Sequence, residues 1–185
     1  MKTKKIVTFG ELLLRFSKDQ HQRLTQGDYF TSKYGGSEAN VAVSLATLGD
    51  KVEYVTRLPE TPVGRAGVLR LQELGVGCHH VLFGGSRIGT YYFEPAAGMR
   101  SAKVVYDRAN SACSELRPGM LPWHQILQGA AVLHISGITA AISRSSLEAT
   151  LEALDVADEM GVSVSYDINY RITCGNMMVS TPAPH

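Results

Sequence analysis

Residues 130–168 read as a strand, a helix and a second strand, and a unit of that kind belongs in a parallel sheet covered by helices. The first strand, Ala-Ala-Val-Leu-His-Ile-Ser at 130–136, is almost continuously apolar, the pattern of a strand covered on both faces. His134 inside it is read as a core histidine. Ser143 or Ser145 caps the following helix. The Ser145-x-x-Glu148 spacing fits a capping box, and Leu147, Leu151 and Leu154 mark the helical period until Gly161. Residues 162–168 return as the second strand, closing a right-handed crossover. Ligands of such sheets bind outside the carboxyl ends of the strands. Here those ends carry Ser136-Gly137 and Asp167-Ile168-Asn169-Tyr170-Arg171, a carboxylate, an amide and a guanidinium suited to anions or phosphates.

The glycine turn at 34–49 is the second informative stretch. Gly35 and Gly36 allow close approach to a ligand, Ser37 is placed to cap a helix, and Gly49 ends it. Between 39 and 48 only Asn40, Ser44 and Thr47 are polar, so the helix is expected inside the protein. Asn40, in the first turn, adds a donor and an acceptor facing whatever occupies the turn. The same pattern also suits a plain turn before a core helix.

The remaining segments follow from periodicity and breakers. Residues 6–9 form a first buried strand, 12–16 an extended segment, and 17–31 a polar surface excursion. A second strand spans 51–58, and a helix at 63–74 places Val68, Leu71 and Leu74 on one face before Gly75. Two strands at 87–94 and 102–108 make a β-hairpin. Its Tyr91, Tyr92, Tyr106 and Arg108 either pack on an edge sheet or close over a ligand as a lid. Residues 121–128 make a short amphipathic helix.

Composition narrows the partners. With 44% hydrophobic and 19% charged residues over 185 positions and a formal charge of +1, the chain has the balance of one soluble domain. It has no basic stripe for nucleic acid. The start offers neither a signal peptide nor a membrane span, so a cytoplasmic protein with a small-molecule partner is expected. Cys78, Cys113 and Cys174 are scattered, and Cys78-His79-His80 is too contiguous to enclose an ion, so no residue is assigned to a metal. A Walker loop and the Gly-x-Gly-x-x-Gly fingerprint are both absent, which leaves a dinucleotide oxidoreductase without support.

Six segments, taken in order, resemble the PfkB, or ribokinase-like, carbohydrate kinases. They are Val-Thr-Phe-Gly-Glu at 7–11, Gly-Gly-Ser-Glu-Ala-Asn-Val-Ala at 35–42 and Val-Thr-Arg-Leu-Pro at 55–59, then Val-Tyr-Asp-Arg-Ala at 105–109, Ser-Gly-Ile-Thr at 136–139 and Asp-Ile-Asn-Tyr-Arg at 167–171. Glu38, where many relatives carry Pro, points to the 2-keto-3-deoxygluconate kinase branch. The resemblance implies an α/β three-layer sandwich, incomplete here, with a small β-sheet lid from about 12–34 and 87–108. It also implies ATP, Mg²⁺ and phosphoryl transfer to the terminal hydroxyl of a sugar acid. By matching motif, Gly35, Gly36 and Asn40 hold sugar hydroxyls, Tyr91, Tyr106 and Arg108 close over the substrate, and Arg171 completes the pocket. Asp167 and Asn169 fall near the phosphates and metal.

The lid's strand edges suggest a homodimer of the intact family fold. The family's Gly-Ala-Gly-Asp segment, which carries its catalytic base, has no counterpart, so no catalytic residue is assigned. The kinase part is expected over 1–171, and 172–185 as a coil foreign to the family, the mark of a truncated or frameshifted product with little activity. The alternative is a non-catalytic sugar-acid-binding or lid-dimerisation module.

Overall fold

Val7 and Phe9 are fully buried on one side of the first strand and Thr8 on the other, so that strand must be covered by two layers. The computed structural model describes residues 5–19 and 21–169. Its elements in order are β1 (Lys5–Phe9), β2 (Leu13–Ser17), β3 (Thr31–Gly35), α1 (Ser37–Thr47), β4 (Val52–Val55), β5 (Arg57–Leu58), α2 (Pro62–Glu73), β6 (Leu82–Phe83), β7 (Gly89–Glu94), β8 (Lys103–Asp107), α3 (Trp123–Leu127), β9 (Ala130–Ser136), α4 (Gly137–Ala140), α5 (Arg144–Glu159) and β10 (Ser163–Asp167). Strands β10-β9-β1-β4 form one sheet, parallel throughout. Alternation along the strands divides the core in two. Val7, Phe9, Leu133 and Ile135 meet Trp123, Ala149 and Ala153 on one face, while Val52 and Tyr54 meet Ala39, Ala42 and Leu71 on the other. The expected α/β sandwich is therefore present, with α3 and α5 on one side and α1 and α2 on the other.

A second sheet, ordered β3-β2-β7-β8, is built from the two segments expected to form the lid. The β7–β8 hairpin is antiparallel as predicted, but β2 joins it in parallel through Arg15 opposite Tyr91, a pairing that hairpin logic cannot foresee. The excursion between β2 and β3 is pinned by Lys18, 5% exposed, whose ammonium donates to the carbonyls of Gly27 (3.1 Å) and Tyr29 (2.8 Å) and lies over the Phe30 ring.

Several local expectations change. Helix α1 does not lie inside: it buries Glu38, Ala39 and Ala42 against the sheet, and Leu48 at its end is 80% exposed. Val43, Leu45 and Ala46 pack partly buried beside Ala39 and Ala42, while Asn40, Ser44 and Thr47 are exposed. Gly36 rather than Ser37 is the N-cap, and no side chain caps the helix. At α5, Ser143 Oγ accepts from Ser146 N at 3.0 Å, whereas Glu148 pairs with Arg144 instead of closing a capping box. Gly49 takes the left-handed conformation expected of it, with φ +94°. His134 is a core histidine, with Nδ1 3.0 Å from Ser165 Oγ, and burial pushes its pKa down. Cys78 and Cys113 are buried and free, and burial pushes the Cys78 thiol up to about 12. Glu53 accepts from the backbone of His79 and His80, so that loop is tied by a carboxylate. Among the described residues no three His, Cys, Asp or Glu side chains are placed to hold a metal. No described helix is long and apolar enough to cross a membrane.

Candidate active site

Two turns meet above the carboxyl ends of the central strands, and each needs a glycine. The turn leaving β1 is Gly10-Glu11, and a Cβ on Gly10 would fall 2.2 Å from the Glu38 carboxyl. The turn entering α1 is Gly35-Gly36, and a Cβ on Gly36 would fall 2.2 Å from the Glu11 carbonyl oxygen. The interlocked turns carry two buried carboxylates into the middle of the site. Glu11, with a side chain 2% exposed, accepts from Arg108 Nε at 2.7 Å, from Arg108 Nη2 and from Ser111 Oγ. Glu38 Oε1 accepts from Ser136 Oγ and Thr139 Oγ1, both at 2.6 Å. Burial pushes both carboxyls up, opposed at Glu11 mainly by the Arg108 guanidinium and at Glu38 by the two hydroxyls.

Around these turns lies an open cavity of about 410 Å³. It is lined by Gly36 and Asn40 from the α1 entry, Tyr91, Tyr106 and Arg108 from the lid, and Asp167 and Asn169 from the end of β10. Gly35 lies beside it, on a separate groove next to α1 and α2. A Cβ on Gly35 would still sit 3.7 Å from Asn40 Oδ1 and 3.8 Å from Tyr91 Oη, so the three converge. The rings of Tyr91 and Tyr106 are 5.7 Å apart, and the Arg108 guanidinium sits 5.8 Å from the Tyr106 centroid. Asn169, with φ +39°, donates from its backbone to Asp167 Oδ1 at 3.0 Å and from Nδ2 to Ser37 Oγ at 3.1 Å. The end of β10 is thereby tied to the first residue of α1. Arg171 lies outside the described residues.

The structure thus gathers Gly36, Asn40, Tyr91, Tyr106, Arg108, Asp167 and Asn169 in one cavity. Sequence reasoning placed Ser136 at the strand ends but gave no site role to Glu11, Glu38 or Arg15, which also line the cavity, or to Thr139, which donates to Glu38. Glu38 did leave a trace, since a carboxylate beside Ala39 on a helix with an apolar face must find donors.

The pfkB family carbohydrate kinase profile matches residues 3–179. The chain belongs to this family. It is 36% identical over 169 residues to the 2-dehydro-3-deoxygalactonokinase of Haloferax volcanii, covering 91% of this chain and 53% of that protein. The structure superposes with TM-score 0.90 on the 2-dehydro-3-deoxygluconokinase of Thermotoga maritima, 46% identical, covering 92% of this chain and 52% of that one. A PfkB kinase from Listeria grayi follows at TM-score 0.89 and 37% identity, over 92% and 53% of the two chains. The chain spans about half the length of the relatives it matches.

Glu38 also gives the chain a pH signature. Its folded-state pKa is raised above the 4.5 of an exposed glutamate. Between those two values the folded chain keeps a proton that the unfolded chain has lost, so stability falls as pH rises through that window. Glu38→Gln should remove this part of the slope. Thermal unfolding followed across pH 4 to 8 checks it, and an unchanged slope in the variant would exclude Glu38 as the source.

Proposed function

We propose that this chain supplies the acceptor-binding half of an ATP-dependent sugar-acid kinase, acting on 2-keto-3-deoxygluconate or a close relative. The convergence of the glycine turn, Asn40, the lid tyrosines and the strand-end Asp167 and Asn169 on one cavity carries the reading. A polyhydroxy acid needs several directional hydroxyl partners and a cation, and this wall offers both. The relatives named above as deoxygluconate and deoxygalactonate kinases support the same substrate class.

Asn40 and Tyr91 would bind and orient sugar hydroxyls, and the lid would exclude water from the acceptor end. Phosphoryl transfer depends mainly on such positioning and on charge stabilisation. Mg²⁺ commonly takes one or two carboxylates and completes its shell with water and phosphate oxygens. Asp167 is a carboxylate of that kind at a strand end, so the donor set fits, with Asn169 beside it for a phosphate oxygen. When bound, ATP supplies the phosphoryl group and Mg²⁺ screens its charge. The outer face of the lid carries Phe16 stacked on Tyr92 at 5.6 Å and, in register with Tyr92, Val105 at 41% exposure, which suits a homodimer of the full-length protein.

Titration calorimetry with 2-keto-3-deoxygluconate tests the reading. Saturable binding is expected, weakened about tenfold by Asn40→Ala, the worth of one lost hydrogen bond. No saturable heat at millimolar sugar acid would overturn it.

A further inference from the structure

The lid holds a cation whose buried nitrogen has no partner. Arg15 on β2 lines the same cavity, and its Nε is buried without a hydrogen bond. No ion pair reaches it among the described residues. What points to a ligand is the placement of its guanidinium on the cavity wall with no carboxylate on it among the described residues, a fork open to an anion that enters the cavity. Its guanidinium lies 5.4 Å from the Phe93 ring centroid, which holds the plane of the fork. Register places Arg15 opposite Tyr91, and Tyr91 opposite Tyr106, so the three stand in one row across the cavity face of the lid.

Among the described residues, the other charged side chains that line the cavity each have a partner. Arg108 donates to Glu11, Glu38 accepts two hydroxyls, and Asp167 accepts from the Asn169 backbone. By family motif Arg108 was expected to close over the substrate; in the structure its Nε and Nη2 donate to the buried Glu11. We infer that Arg15 is the specificity residue for the acid group, receiving the substrate carboxylate on its fork at the lid end of the cavity. This rests on the sugar-acid reading above. In a linear sugar acid the carboxylate and the terminal hydroxyl stand at opposite ends, so seating the acid on the lid directs the hydroxyl toward the strand ends. A neutral ketose of similar size gains nothing from Arg15.

Calorimetric titration of the wild type, Arg15→Met and Arg15→Lys with 2-keto-3-deoxygluconate and with fructose separates the possibilities. The wild type should prefer the acid. Arg15→Met, which keeps the apolar stem on Phe93, should bind the acid about 10- to 100-fold more weakly and leave fructose unchanged, the range of a charge-assisted hydrogen bond. Arg15→Lys should recover part of the loss. Melting curves that coincide with the wild type show that the variants fold. If Arg15→Met keeps the preference for the acid, or loses both sugars equally, this inference fails and the sugar-acid reading stands. If the wild type itself prefers fructose, both fail.

Discussion

Arg108→Ala lowers the stability of this chain by about 3–5 kcal/mol, the loss expected when one partner of a buried ion pair is removed. That is a large share of the roughly 5–15 kcal/mol by which a domain is stable. The cost lies in what remains: Glu11, 2% exposed, keeps only the Ser111 hydroxyl among the described residues and must hold a buried charge or take up a proton. The double variant Glu11→Leu/Arg108→Met should regain most of the loss, because removing both charges removes the desolvation of both. Urea unfolding followed by circular dichroism measures it, with the shift in midpoint at constant m reading the difference. An Arg108→Ala variant within about 1 kcal/mol of the wild type would mean that the pair contributes little, in the range of exposed pairs. Folding and binding must be measured separately at this residue, since a variant that loses sugar binding through a collapsed lid base says nothing about direct contact.

The same pair shows where the sequence stops being informative. The strands at 130–136 and 162–168 and the helix between them were legible because each is decided by its own periodicity and caps. The glycine turn and the tyrosine hairpin were legible for the same reason, and six ordered segments were enough to place the family. Glu11 and Arg108, however, stand 97 positions apart, and Glu38 and Ser136 98 apart. No local pattern pairs them. Helix α1 was misjudged because apolar composition was read as burial all round, whereas Ala39 and Ala42 are buried, Val43, Leu45 and Ala46 only partly so, and Asn40, Ser44 and Thr47 are exposed. Arg15 escaped because a single charge in an alternating strand is ordinarily solvent-facing; only the parallel register of β2 with β7 turns it into the cavity.

Gly36→Ala should destabilise the chain by about 3 kcal/mol or more, at or beyond the upper end of overpacking costs, and displace the cavity wall with it. Conformational strain is not the cause, since Gly36 has φ 179°, which any residue adopts. The added Cβ would instead stand 2.2 Å from the Glu11 carbonyl oxygen, a backbone atom that no rotamer change can move. The turn must open. Opening it shifts the Gly36 carbonyl that accepts from Asn40 N at 2.8 Å, and with it the first turn of α1 that aims Asn40. Gly35→Ala makes the internal control, because its Cβ would meet only Asn40 Oδ1 at 3.7 Å and Tyr91 Oη at 3.8 Å, ordinary contacts. That neighbour should change stability by less than about 1 kcal/mol. Melting temperatures of the two variants, with calorimetric titration of the sugar acid, decide the matter. A Gly36→Ala protein as stable as Gly35→Ala would show that the two turns do not interlock, and the geometry that brings Glu11, Glu38 and Asn40 to one cavity would have to be redrawn.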